Sequence, residues 1–194
     1  MANTTEQTVL LAGVGGQGTI LAADLLAKTA IAHGFEVKLS EIHGMAQRGG
    51  AVTTVVRMGE HVNSMVVDTG CADSILAFET TEALRNVQYL REGGLLLVNS
   101  ESIKPLPVAC GRDSMPKDAL TRLEDLGAKL VDATKLATEA GTPKAANVVL
   151  LGALSIGLPF SVELWNEQIA AKVPPKTIDI NLKAFELGRA SVAS

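Results

Sequence analysis

From Gly13 to Gly18 the chain reads Gly-Val-Gly-Gly-Gln-Gly, a G-x-G-x-x-G run. It follows a short apolar stretch, Thr8 to Ala12, and opens a segment with helical spacing, Gly16 to His33. Strand, glycine turn and helix in that order are the context the motif requires. The glycines let the chain turn tightly and let its backbone approach an anion. The helix start behind them offers N–H groups and a partial positive charge. Thr19 adds a hydroxyl. The turn therefore suits a phosphate or pyrophosphate. A dinucleotide site would also want an acidic residue about 20 residues further on, at the end of the second strand. Glu36 comes too early for that role, and Glu41 falls just past the strand end and adjoins a polar loop. Three readings stay open at this point: a free dinucleotide, a phosphate-bearing ligand shared with a partner chain, and a tight turn that binds nothing.

The rest of the pattern is a strand and helix alternation. Phe35 to Leu39 reads as a second strand after the Gly34 helix stop, with Ile20, Ala23, Ala27 and Ile31 forming one face of the first helix. Ser40 to Gly50 reads as a loop. Ala51 to Met58 and His61 to Val67 read as strands joined at Gly59-Glu60, an antiparallel hairpin near 51–67. Asp73 to Phe78 is a buried strand, Thr80 to Arg91 an amphipathic helix ended by Gly93-Gly94, and Leu95 to Val98 another strand. Pro105, Pro107 and Pro116 break the pattern, after which a helix (Asp118 to Leu126), a strand (Ala128 to Asp132) and four helices follow: Ala133 to Ala140, Asn147 to Ile156, Val162 to Lys172 and Ile178 to Arg189. The expected fold is α/β: a single doubly wound, mostly parallel, Rossmann-like sheet flanked by helices, in one domain over 1–194.

Composition narrows the function classes. Apolar residues make up 47% of the chain, yet it holds only four Phe, one Tyr and one Trp, which suits a helix-covered parallel sheet. The net charge of -4, with both signs interleaved, predicts no nucleic-acid footprint and no basic membrane-binding face. No stretch approaches the roughly 20 apolar residues of a membrane span. The first residues lack the basic and apolar regions of a secretory signal, so the cytoplasm is the expected location. Cys71 and Cys110 form no CxxC pair and read as small buried hydrophobes. A cubane cluster needs four thiolates, which this chain cannot supply alone.

The most unusual stretch is His43-Gly44-Met45-Ala46-Gln47-Arg48-Gly49-Gly50. A histidine, an amide and an arginine sit among glycines directly after the second strand, where open α/β sheets bind ligands. Arg48 offers a bidentate donor to carboxylate or phosphate, and Gly49-Gly50 permits close approach of another backbone. With GVGGQG before it and a Val-rich strand after it, this stretch resembles the gamma-type domain of the 2-ketoacid:ferredoxin oxidoreductases, and within them the branch acting on arylpyruvates such as indolepyruvate. Residues 72–85 (ADSILAFETTEALR), 147–154 (NVVLLGAL) and 180–188 (INLKAFELG) fit the same pattern.

The resemblance implies an oxidative decarboxylation of a 2-ketoacid on thiamine diphosphate. Electrons pass through 4Fe-4S clusters to ferredoxin and the acyl group passes to coenzyme A. It implies that thiamine diphosphate and the clusters belong to a larger alpha subunit. This chain would supply a phosphate- and coenzyme A-handling domain, inactive alone; apolar surface left exposed without the partner is expected to make it self-associate, as a homodimer. On that reading Gly13, Gly15, Gly16, Gln17, Gly18 and Thr19 hold the phosphate. Arg48 neutralises an anion, His43 and Gln47 supply hydrogen bonds, and Gly49 admits a neighbouring backbone. No residue of this chain is expected to act as a chemical catalyst or a metal ligand.

Other residues carry plainer readings. His33 and His61 are expected on the surface. No H-E-x-x-H and no G-x-S-x-G occurs. Asp68 and Asp73 read as turn caps, Glu79 and Glu82 as helix-start carboxylates, and Trp165 as a core or interface anchor. Two rivals to the oxidoreductase subunit stand beside it: a Rossmann-type NAD- or FAD-binding protein, and a non-enzymatic interaction module.

Overall fold

The structure, a computed structural model, describes residues 6–44, 50–104, 106–112 and 114–193. Its strands are β1 (Gln7–Val14), β2 (Glu36–His43), β3 (Ala51–Gly59), β4 (Ala72–Ala77), β5 (Leu90–Asn99) and β6 (Lys129–Val131). Its helices are α1 (Thr19–Ala32), α2 (Thr80–Asn86), α3 (Leu106–Ala109), α4 (Ala119–Asp125), α5 (Ala133–Ala140), α6 (Ala146–Ser155), α7 (Val162–Lys172) and α8 (Ile178–Val192). The six strands form one sheet in the order β2-β3-β1-β4-β5-β6. β1, β4, β5 and β6 run parallel, and β3 alone runs against both of its neighbours.

Alternate residues along the strands feed two cores. Val9, Leu11, Val56, Met58, Leu76 and Leu97 pack under α1, α6, α7 and α8. Leu10, Ala12, Val55, Ile75, Leu96 and Val98 pack toward Ala83 of α2 and Leu123 of α4. This period of two, with apolar residues on both faces, is what a sheet covered on both sides demands. The expected doubly wound α/β fold is therefore the observed one.

Two stretches that carry the resemblance meet in space. α6 and α8 approach so closely that a methyl at Gly152 would lie 2.1 Å from the Phe185 carbonyl oxygen, and one at Gly188 would lie 1.9 Å from that of Val149. Only glycine permits this backbone contact. Trp165 of α7 is fully buried beside it, with ring centroids 5.6 Å from Phe185 and 6.0 Å from Phe160.

Several expectations are corrected. The antiparallel hairpin is β2 with β3, not 51–67. Residues 44–50 are too few for the crossover of about a dozen residues that a parallel return needs, so β3 folds back onto β2 with Gly44 N–H donating to Ala51 O at 2.7 Å. Residues 61–67 form no strand, because side chains take their backbone groups: Glu36 accepts from Val62 N–H and Arg57 donates to Val66 O. β2 continues through Ser40 to His43, where a loop is expected; on an edge strand its polar residues face solvent. The helix after β4 ends at Asn86, a short 3-10 turn follows, and Gly93-Gly94 lie inside β5. Ile20 and Ile31 of α1 are exposed; Ala23 is buried and Ala27 packs on the core as expected, and Ala22, Leu25, Leu26 and Ala30 complete the inward face. Both cysteines are exposed thiols. Asp73 caps no turn: it accepts from Thr8 N–H at 2.8 Å and pairs with Arg91 at 2.7 Å, tying the starts of β1 and β5.

Candidate functional site

The glycine turn lies at the carboxyl end of β1, as its motif predicts. Gly16 and Gly18 adopt φ of 100° and 79°, which a side chain would strain. Gly13 is closed in by Thr19 and Phe78: a methyl there would lie 2.8 Å from Thr19 Cγ2 and 3.0 Å from Phe78 Cβ. Gly18 begins α1 without a side-chain cap, and Asn147 of α6 packs on it. Thr19 is buried.

Gln17 serves the turn itself. Its amide oxygen accepts the Val14 N–H at 2.8 Å, and its amide nitrogen donates to the Phe78 carbonyl at 3.0 Å. The turn is thereby pinned to the end of β4. Its other side is pinned by β3, since Gly15 N–H donates to Gly50 O at 3.0 Å. Both described ends of the 44–50 loop, Gly44 and Gly50, thus stand at the rim that carries the glycine turn. His43, the last residue of β2, is exposed and pairs with Glu41 at 3.3 Å. Gln47, Arg48 and Gly49 lie outside the described residues.

Beside the turn, over the carboxyl ends of β4 and β5, opens a cavity of about 280 Å³. Gly16 and Gln17 form one wall, Phe78 and Leu150 give it an apolar floor, and Lys144 brings a cation. Asn99, Glu101 and Thr134 complete the polar side. His43 is not among its lining residues. Asn99 is buried and organises this side: it donates to Phe78 O at 3.2 Å and to Glu101 Oε2 at 3.4 Å, and accepts from Ala133 N–H at 3.1 Å. Thr134 also donates to Glu101 Oε2, at 3.1 Å.

Asn99, Glu101, Thr134 and Lys144 are the site residues that motif reading missed. Each sits at an element boundary far from the glycine run; Asn99, Glu101 and Thr134 follow predicted strand ends, which is a usable signal, while Lys144 follows a helix and carries none. Glu79, by contrast, is the helix-start carboxylate expected of it: it caps α2, accepting from the N–H groups of Thr81 and Glu82. Glu82 is buried against it. Burial pushes the Glu82 carboxyl above its ordinary range; Arg85 opposes that and Glu79 adds to it.

Chemically, the cavity combines the Gly16–Gln17 stretch of the glycine turn, one ammonium, one carboxylate and an apolar floor. Such a set holds an anionic group at one side and an uncharged body at the other. Among the described residues, no three His, Cys, Asp or Glu gather as metal ligands, and no helix is long and apolar enough to cross a membrane.

Comparison with known proteins identifies the family and the fold. The sequence profile of the pyruvate ferredoxin/flavodoxin oxidoreductase family matches residues 8–191. The indolepyruvate oxidoreductase subunit IorB of Thermococcus kodakarensis is 47% identical over 94% of each chain. Among solved structures, the gamma subunit of a keto/oxoacid ferredoxin oxidoreductase from Geobacter sulfurreducens superposes with a TM-score of 0.71 at 26% identity, covering 96% of this chain and 98% of that one. The 2-oxoglutarate:ferredoxin oxidoreductase of Magnetococcus marinus, solved with 2-oxoglutarate, coenzyme A and succinyl-CoA, shares the fold with a TM-score of 0.75 at 23% identity; 96% of this chain matches 31% of that one.

Proposed function

Because this chain belongs to the pyruvate ferredoxin/flavodoxin oxidoreductase family, we propose that it is the small subunit of a cytoplasmic indolepyruvate:ferredoxin oxidoreductase. The complex oxidatively decarboxylates aryl 2-ketoacids to acyl-CoA and passes the electrons to ferredoxin. The larger subunit carries thiamine diphosphate, which supplies the carbanion-stabilising chemistry, and the iron-sulfur clusters. This chain handles coenzyme A.

The observation that carries the reading is the cavity between the glycine turn and Lys144. The Gly16 backbone and the first N–H groups of α1 receive a phosphate, and Lys144 balances its charge. Gln17 holds the turn in shape from within, and Gly13 and Gly18 allow its close packing. Thr19, Gly15, His43, Gln47, Arg48 and Gly49 are assigned to the same phosphate-handling rim, Arg48 as a second cation. Phe78 and Leu150 accept the uncharged body of the ligand. Ile42, Met65 and Val66 are exposed around a second, apolar groove on the β2–β3 side of the sheet. Such exposed apolar surface marks a protein interface, which agrees with a subunit that works beside a larger one.

The test is reconstitution. The chain purified alone is expected to show no turnover. Combined with a large subunit of the thiamine- and cluster-bearing type, it is expected to support coenzyme A-dependent acceptor reduction with indolepyruvate. Oxidation of an arylpyruvate by the isolated chain, or a complex whose rate is indifferent to coenzyme A, would overturn the proposal.

A further inference from the structure

We propose that Glu101 is the specificity-determining residue of the cavity: a carboxylate acceptor that admits a phosphate ester carrying hydroxyl or amide donors and disfavours a bare polyphosphate. This inference rests on the coenzyme A reading above and adds to it the residue that selects the ligand's uncharged portion.

A carboxylate beside a phosphate-suited turn is at first sight misplaced, since like charges repel across a cavity. Its setting explains it. Glu101 follows β5 and is anchored through its backbone, whose carbonyl accepts Thr80 N–H at 3.1 Å. Its Oε2 is held by Thr134 and Asn99, and Asn99 is itself fixed by Phe78 O and Ala133 N–H. Among the described residues no donor pairs with Oε1. The carboxylate is therefore oriented by one oxygen and leaves the other for what enters the cavity. An ionised carboxylate accepts and never donates, so it matches a ligand N–H or O–H. Coenzyme A offers such donors on its pantetheine arm (two amides and a hydroxyl) and on its nucleotide (ribose hydroxyl and adenine amine). Pyrophosphate at neutral pH presents mainly acceptors.

Glu101→Gln separates the two demands. The Gln oxygen would stay with Thr134 and Asn99, turning an NH₂ toward the cavity. The variant loses the charged acceptor and the repulsion together. Binding to the assembled complex is measured by calorimetry with coenzyme A and with pyrophosphate. Coenzyme A is expected to bind on the order of tenfold more weakly, while pyrophosphate binds about threefold more tightly. Opposite signs exclude general damage to the site. Titration with 4′-phosphopantetheine and with adenosine 3′,5′-bisphosphate then shows which half of coenzyme A carries the sensitive donor. If Glu101→Gln leaves both affinities unchanged, or weakens both alike, the role of Glu101 is overturned while the cavity reading stands. If the wild-type complex takes up no coenzyme A, the underlying reading falls and this inference with it.

Discussion

The amide of Gly15 donates to the carbonyl of Gly50 at 3.0 Å. One hydrogen bond thus joins the glycine turn after β1 to the chain entering β3, whose first residue, Ala51, pairs with Val14. The turn is held from this side by β3 and from the other by Gln17, so its shape depends on two strands that arrive from different parts of the sequence.

Removing the inner clamp tests this directly. Gln17→Leu orphans the Val14 N–H and removes one of the two donors to Phe78 O, which keeps Asn99. A buried orphan costs about 1–3 kcal/mol. The urea midpoint is expected to fall by a corresponding amount, and the KM for coenzyme A to rise in the reconstituted complex.

Lys144→Ala is expected to leave stability within about 0.5 kcal/mol, since the side chain is exposed. The KM for coenzyme A is expected to rise about tenfold, the loss of one charge-assisted hydrogen bond, with little change in kcat. An unchanged KM would remove Lys144 from the ligand site.

The glycine contact between α6 and α8 makes a stability prediction. Gly188→Ala places a methyl 1.9 Å from Val149 O, and the obstacle is backbone. The helices must part, costing about 3 kcal/mol or more, the upper end of overpacking effects. Denaturant unfolding reads the loss.

Glu82 sets a pH dependence. Its carboxyl is raised above the ordinary 4.5 by burial, against Arg85 and with help from Glu79. The unfolded chain therefore releases this proton more readily. Stability contributed by the protonated form is full below pH 4.5 and declines as pH rises through the folded value. Glu82→Gln is expected to match wild type near pH 4 and to exceed it at pH 7, measured as urea midpoints at the two pH values.

The apolar groove predicts behaviour of the isolated chain. Self-association by light scattering is expected, and Ile42→Ser with Val66→Ser is expected to reduce it. Addition of the large subunit is expected to do the same.

Much was legible in the residues because it is local. The glycine turn follows from an apolar run meeting glycines before a helical period. α5 and α7 begin and end where their spacing and caps place them, Asp132 and Ser161 accepting the N–H groups of Lys135 and Leu164. Trp165 lies in the core, one of the two places expected of it. The face of α1 is only half legible, Ile20 and Ile31 being exposed, because that helix is apolar nearly all round and periodicity cannot choose between two apolar stripes. The strand expected at 61–67 does not form because side chains outside the segment, Glu36 and Arg57, claim its backbone groups.

What this sequence determined by itself is most of the elements and the glycine turn, since propensity, period and glycine freedom act over a few neighbouring residues. The tertiary structure decided which strands are neighbours. It set β3 antiparallel between β2 and β1, and it brought Asn99, Glu101, Thr134 and Lys144 to one cavity. Strand edges carry the same backbone donors and acceptors everywhere, so local pattern cannot select their partners; chain connectivity and the packing of both cores do.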